Sequence, residues 1–168
     1  MRDEVKARRR NRESHLPSSL CPQPASLVFG LAVARSTING RGCFATKTFP
    51  ARKKIAEYTG ELITTAEAER RARGRHILRV CAIDDAWSID GDTGGNGTHY
   101  INHSCQPNAF MRTHGARILF FALRDIHAGE EITVDYIRTY HPDTKRCTCG
   151  AHACRGTINK PSKTRACG

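Results

Sequence analysis

The sequence predicts a mainly β domain of several small sheets with one short surface helix. Short apolar runs recur between glycine-rich and polar turns, one stretch alone carries both helix start and stop signals, and no internal repeat is present.

Residues 1 to 25 mix charge, serine and the prolines Pro17, Pro22 and Pro24, and read as a mobile basic arm. Order is expected from Leu27. Leu27-Val28-Phe29 and Leu31-Ala32-Val33 read as a strand interrupted at Gly30, and Ile38 to Ala45 bends on Gly40 and Gly42. Ile55 to Ile63 alternates as a strand bent at Gly60. Thr64 to Gly74 is the helix: Thr64 and Glu67 form a capping box, Glu67/Arg71 and Glu69/Arg73 stand at i,i+4, and Gly74 sits where a C-cap would. Its polar composition places it on the surface. Residues 77 to 90 supply strand material around Asp84-Asp85, and the glycine-rich stretch 91 to 97 leads on to His99. No Gly-Lys-Ser/Thr follows those glycines, so they do not read as a phosphate-binding loop. Ala109 to Arg112, Ile118 to Leu123 and Glu131 to Tyr136 are the remaining strands, the last two separated by the polar turn 124 to 130.

With 168 residues, 39% of them apolar, the chain can bury a core as one domain. No apolar run approaches the roughly 20 residues that span a bilayer, and the first 30 residues lack an apolar signal segment, so a soluble protein made in the cytosol and free of membrane contact is expected. The net charge of +11 is concentrated at the ends, where residues 1 to 13 and 155 to 168 together hold +7. The run Arg8-Arg9-Arg10 reads either as a solvated arm or as weak contact with nucleic acid.

Eight cysteines without a secretion signal point to metal binding rather than disulfides. Cys147, Cys149 and Cys154 place three thiols within eight residues, a spacing that wraps one tetrahedral ion and lacks a fourth ligand. Cys105, His152 and Cys167 are the candidates. His152 sits inside the tight loop where its ring turns inward with difficulty, and Cys167 is at the chain end, so Cys105 is preferred and structural zinc is expected. That choice ties the C-terminal segment to the stretch His99-Tyr100-Ile101-Asn102-His103-Ser104-Cys105-Gln106-Pro107-Asn108, which is the densest run of chemical side chains in the chain and ends in a Pro107-Asn108 turn.

Gly40-Arg41-Gly42, Tyr58-Thr59-Gly60-Glu61, Tyr100 to Asn108, Gly129-Glu130-Glu131-Ile132-Thr133-Val134-Asp135-Tyr136 and the Cys-x-Cys-x4-Cys at 147 to 154 follow one another in an order that resembles the SET-domain protein lysine methyltransferases with a post-SET zinc segment. The resemblance runs from about residue 27 to 158. It divides the chain into the arm 1–25, a SET domain at 26–140 and a post-SET segment with basic tail at 141–168. It implies small curved sheets whose C-terminal segment forms a pseudoknot, with S-adenosylmethionine on one face and a lysine of a protein substrate, a histone tail for example, entering from the other.

Carried onto this sequence, the resemblance makes Asn39, Gly40, Arg41 and Gly42 line the cofactor, together with His99, Tyr100, Asn102, His103 and Tyr136. Tyr136 and Tyr58 become the catalytic and channel-wall residues, and Cys105 the fourth zinc ligand. The chain departs from many members at Arg41, where an aromatic is common, and at His99, where Arg is common. Val134 occupies a position often held by Phe or Tyr and leaves room for more than one methyl group. His76, Trp87 and Asp90 fall in the segment that often borders the substrate groove, while Asp84, Asp85, Asp90 and Asp92 read as solvated charges or as attraction for a basic tail. The minimal chain resembles the stand-alone SET proteins of bacteria and viruses more than large chromatin enzymes, which implies a cytoplasmic protein, with nucleus or host chromatin as the alternative. The competing reading from another class is a non-enzymatic, zinc-bearing nucleic-acid or chromatin binding module on the same scaffold.

Overall fold

Residues 30–73, 79–136 and 145–159 are described by the structure, a computed structural model. The arm 1–25, Leu27 to Phe29, Gly74, His76, Cys167 and the basic residues from Lys160 onward lie outside them. Among the described residues are ten strands, one α-helix and one 3-10 turn, and no helix is long and apolar enough to cross a membrane.

The hairpin β1 (Leu31–Arg35) and β2 (Arg41–Ala45) pairs from Leu31 opposite Ala45 to Arg35 opposite Arg41. The strand expected to bend at Gly60 divides into β3 (Lys54–Tyr58) and β4 (Glu61–Thr64), and the halves join different sheets. Gly60 permits this by close approach, since a Cβ there would lie 2.1 Å from the Asp90 carbonyl oxygen. Helix α1 (Thr65–Ala72) starts where the capping box predicts, with the Thr64 hydroxyl accepting the Glu67 N–H at 3.2 Å. It buries no residue, and Glu67 accepts from both Arg70 and Arg71. Strands β5 (Val80–Ala82) and β6 (Trp87–Asp90) form the next hairpin around Asp84, whose carboxylate accepts the Ala86 and Trp87 N–H groups at 2.8 Å.

After the 3-10 turn Thr98–Tyr100 come β7 (Asn102–His103), β8 (Ala109–His114), β9 (Arg117–Ala122) and β10 (Glu131–Val134). Three small sheets result, with strand orders β1-β2-β10-β7, β3-β9-β8 and β4-β6-β5. Along β9 the two-residue period turns Ile118, Phe120 and Ala122 inward, where they meet Phe49, Ile55, Ile126, Ile132 and Val134 in one apolar cluster. Burial of each such large side chain favours the fold by about 1.5–3 kcal/mol.

Strand β10 lies between β2 and β7. It runs antiparallel to β2 through Glu131 and Ile132, and parallel to β7 through Thr133 opposite Asn102 and Val134 opposite His103. Parallel pairing of strands this far apart in sequence sets the two longest motifs side by side, as the expected pseudoknot requires. Asn108 does more than end a turn. Its amide donates to the Glu131 carbonyl at 2.8 Å and accepts the Thr133 N–H at 2.9 Å, standing in for a missing strand edge.

Candidate functional site

The thiols of Cys105, Cys147, Cys149 and Cys154 converge with all four Sγ atoms within 4.8 Å of one another. Cys105 Sγ lies 3.7 Å from Cys147 Sγ and 3.9 Å from Cys154 Sγ. Zn–S bonds of about 2.3 Å place tetrahedral sulfurs about 3.8 Å apart, close to both Cys105 separations, so the donor set is compatible with zinc. His152 is outside the cluster, and Cys43 is buried away from it, where desolvation pushes its thiol up to about 12. Within the cluster, burial raises the Cys105 thiol and holds Cys147 up at about 12. At Cys149 burial is overcome by the Cys105 and Ala151 backbone N–H groups and the neighbouring thiols, which bring it to about 6. Four sulfurs this close ionise together only around a cation.

The segment also reaches the first glycine motif, because the Thr148 hydroxyl donates to the Ile38 carbonyl at 3.0 Å. On the other side of that loop the Asn102 amide donates to the Arg41 carbonyl at 2.9 Å and to Glu131 Oε1 at 2.7 Å. Ser36 Oγ donates to the same carboxylate at 2.9 Å. Glu131 thereby fills the space beside Gly42, where a Cβ would lie 2.2 Å from its Oε1. The loop Ser36–Arg41 is fixed from beneath while Asn39, Gly40 and Arg41 remain exposed, with nothing within 4 Å of where a Gly40 side chain would begin.

His103 is buried, and its ring is engaged within the protein. Nδ1 accepts the Tyr136 N–H at 3.1 Å, and Nε2 faces Cys105 Sγ at 3.4 Å. An Nδ1 that accepts leaves the proton on Nε2, aimed at the sulfur. Asp135 Oδ1, 3.5 Å from Nδ1, is therefore a neighbour rather than a hydrogen-bond partner. Desolvation depresses the imidazole below its ordinary pKa against the pull of Asp135, which keeps the ring neutral.

Tyr136 lies 5.4 Å from the His103 ring and donates its hydroxyl to the Ile101 carbonyl at 2.6 Å. Tyr58 donates its own to the Arg79 carbonyl at 2.5 Å. Both phenols are raised above their ordinary range, chiefly by burial and then by each other's surroundings, Cys81 contributing to both and Tyr136 to Tyr58. Tyr58 belongs to the apolar cluster, and Tyr136, Cys81 and Met111 pack against it, the last two with their sulfurs 4.0 Å apart. Two neutral phenols that donate to backbone carbonyls turn their remaining lone pairs outward as acceptors.

Two guanidinium groups lie near the Tyr100 ring. Arg41 stands 5.5 Å from the ring centroid and 3.4 Å from the hydroxyl, and Arg79 stands 5.0 Å from the centroid while paired to Asp92 at 2.7 Å. His99 packs 4.2 Å from Tyr100 beneath the glycine-rich loop, where a Cβ on Gly91 would lie 2.6 Å from His99 Cβ and 2.7 Å from the Tyr58 hydroxyl. His99 Nδ1 is buried with no hydrogen-bond partner, and desolvation and Arg79 depress the ring's pKa. An unmet buried nitrogen costs about 1–3 kcal/mol until a polar group reaches it.

Sequence reasoning did not single out Ser36, Glu131, Asp135 or Arg155. Glu131 and Asp135 stood inside a recognised motif, and Arg155 directly follows a cysteine ligand, but only the fold shows what each side chain touches. Trp87 is 43% exposed and Leu62 51% exposed on neighbouring strands, whereas Asp90 is buried and paired with Arg71 at 2.7 Å.

A family model described as SET domain matches residues 40–137. The chain is 35% identical over 161 residues to the histone-lysine N-methyltransferase trithorax of Drosophila virilis, covering 90% of this chain and 4% of that protein. It is 36% identical over 139 residues to human histone-lysine N-methyltransferase 2B, covering 77% of this chain and 5% of that protein. It is also 36% identical over 163 residues to human histone-lysine N-methyltransferase SUV39H2, covering 78% and 39%. The chain thus spans a small part of these relatives' length. Their names fit chromatin and lend no support to the cytoplasmic placement expected from the bacterial-type resemblance.

Proposed function

This chain belongs to the SET-domain family, and on that premise we propose that it is an S-adenosylmethionine-dependent protein lysine N-methyltransferase acting on a histone-type tail. The observation that carries the reading is the pair of phenols, Tyr58 buried and Tyr136 half-buried, whose hydroxyls both donate to backbone carbonyls.

S-adenosylmethionine supplies an electrophilic methyl group when bound. The exposed residues Asn39, Gly40 and Arg41 with the buried Gly42 behind them, the Arg41–Tyr100 pair, His99 and the Asn102–His103 strand are the residues that would hold it. Glu131 and Ser36 keep that strip in place. Arg41, exposed beside the Tyr100 hydroxyl, is the cation available to a carboxylate there.

A substrate amine must arrive neutral, which for a lysine of ordinary pKa about 10.4 costs roughly 4–5 kcal/mol at pH 7. Neither tyrosine is a base near neutrality, since burial raises both phenols. They act by accepting N–H groups and aligning the nitrogen lone pair, while the apolar walls at Cys81 and Met111 disfavour a charged amine. Val134 is buried and smaller than the Phe or Tyr common at its position, which leaves room, and transfer of more than one methyl is expected. Strictly monomethylated product in mass spectra would contradict that.

Zinc held by Cys105, Cys147, Cys149 and Cys154 would have a structural role, with no open ligand position. The deciding experiment is calorimetric titration with S-adenosylmethionine followed by transfer assays on histone peptides. Binding and transfer are expected. Zinc-loaded protein that takes up no cofactor would favour the non-enzymatic binding module instead.

A further inference from the structure

Arg155 stands one residue past the last cysteine of the thiol cluster, yet its guanidinium reaches Asp135, the residue before Tyr136. Nη1 donates to Asp135 Oδ2 at 2.9 Å and Nη2 to Asp135 Oδ1 at 2.6 Å, a two-point fork on a carboxylate. Nη2 also donates to the Ile158 carbonyl, and the Arg155 backbone N–H points at Cys105 Sγ at 3.5 Å. Both side chains of the pair are sheltered, 25% and 18% exposed, so the contact is not a solvated surface bridge.

Strand β10 ends at Val134, so Asp135 and Tyr136 lie past the last ladder pairing. What holds the Tyr136 backbone there is its N–H bond to His103 Nδ1 on one side and the anchored Asp135 side chain on the other. His103 in turn faces Cys105, and Arg155 leans on the same sulfur. Cys105, His103, Tyr136, Asp135 and Arg155 therefore close a ring of contacts that begins and ends at one zinc ligand.

We propose that Arg155 is a positioning residue for methyl transfer: through Asp135 it fixes the Tyr136 backbone, and so couples the orientation of the Tyr136 phenol to a filled zinc site. This rests on the function proposed above. Displacing a reacting group by about 1 Å can cost up to about 100-fold in rate, so a loose Tyr136 is felt in turnover.

The test uses Arg155→Ala, Asp135→Asn and their double variant in the zinc-loaded protein. Each single change should lower kcat at least about tenfold with KM for cofactor and peptide within about twofold, and the double variant should be no worse than the weaker single, since both break one link. One zinc per chain should remain. Arg155→Lys, which keeps the charge and loses the fork, should recover only part of the rate. Loss of zinc, an effect confined to KM, or multiplying losses in the double variant would overturn the proposal.

A second readout needs no turnover. In protein labelled with 3-fluorotyrosine, the Tyr136 resonance, assigned by Tyr136→Phe, should shift in Arg155→Ala while that of Tyr58 stays. An unmoved Tyr136 resonance refutes the positioning role even in an active enzyme. A shifted resonance in a protein whose unaltered form transfers no methyl supports the positioning role and rejects the catalytic reading.

Discussion

Strand β10 and the cysteine segment 145–159 meet at His103 but are held there by different means. Ile132 and Val134 of β10 are 0% and 1% exposed within the apolar cluster, and its polar edges are closed by Asn108 and by pairing on both sides. Segment 145–159 buries only Cys147 and Asn159. It is fastened by four thiols, the Arg155–Asp135 fork, the Thr148–Ile38 bond and a short pairing of Arg146 with Thr157. The first region rests on water-excluded area and needs no ion, while the second buries too little apolar surface to offset its own chain entropy and would need a metal at its thiols to be held. A site that uses both inherits the weaker region's requirement.

The largest effect should come from attacking the weaker region. Chelating zinc, or Cys147→Ser, should release residues 145–159 to hydrogen exchange and lower transfer by about 100-fold or more, while amides of β1, β2 and β9 keep their protection. Equal loss of protection in β9 would break the comparison. Cys105→Ser should weaken S-adenosylmethionine binding as well as zinc, because Cys105 lies just past the strand that holds Asn102 and His103; unchanged calorimetric affinity would show the two sites to be independent.

The stronger region is attacked through its core. Phe120→Ala should cost about 3–5 kcal/mol in denaturant unfolding with zinc content unchanged. Asn108→Ala leaves the Thr133 N–H and the Glu131 carbonyl unmet in a buried place and should cost about 1–3 kcal/mol, again without metal loss. The smallest effect belongs to a helix that neither region needs: Thr64→Ala removes the N-cap of α1 and should cost about 1 kcal/mol, read as fraying by exchange, with the zinc site undisturbed.

The elements with local signals were legible in the amino-acid sequence. Thr64 and Glu67 marked the helix start because capping joins residues three apart, and the alternation at Ile118 to Leu123 marked β9 because its neighbours decide which face is wet. The cysteine spacing marked a metal centre for the same reason of proximity along the chain. The division of Ile55 to Ile63 between two sheets was not legible as such: Gly60 announced a bend, but the Asp90 carbonyl that demands a glycine there is thirty residues away. Asn108 likewise read as the end of a turn, since nothing nearby in sequence reveals that β10 needs its amide.

By itself the sequence determined the inventory: a mainly β chain, a single polar helix, four thiols suited to one ion, and the motifs that place it in the SET-domain family. The tertiary structure decided which atoms face inward. Only the insertion of β10 between β2 and β7 sets His103 Nδ1 against the Tyr136 N–H, Glu131 against Gly42 and Asp135 against Arg155. Hydrogen-bond partners are fixed at about 3 Å, and residues twenty to a hundred positions apart reach that distance only when the whole core has closed around them.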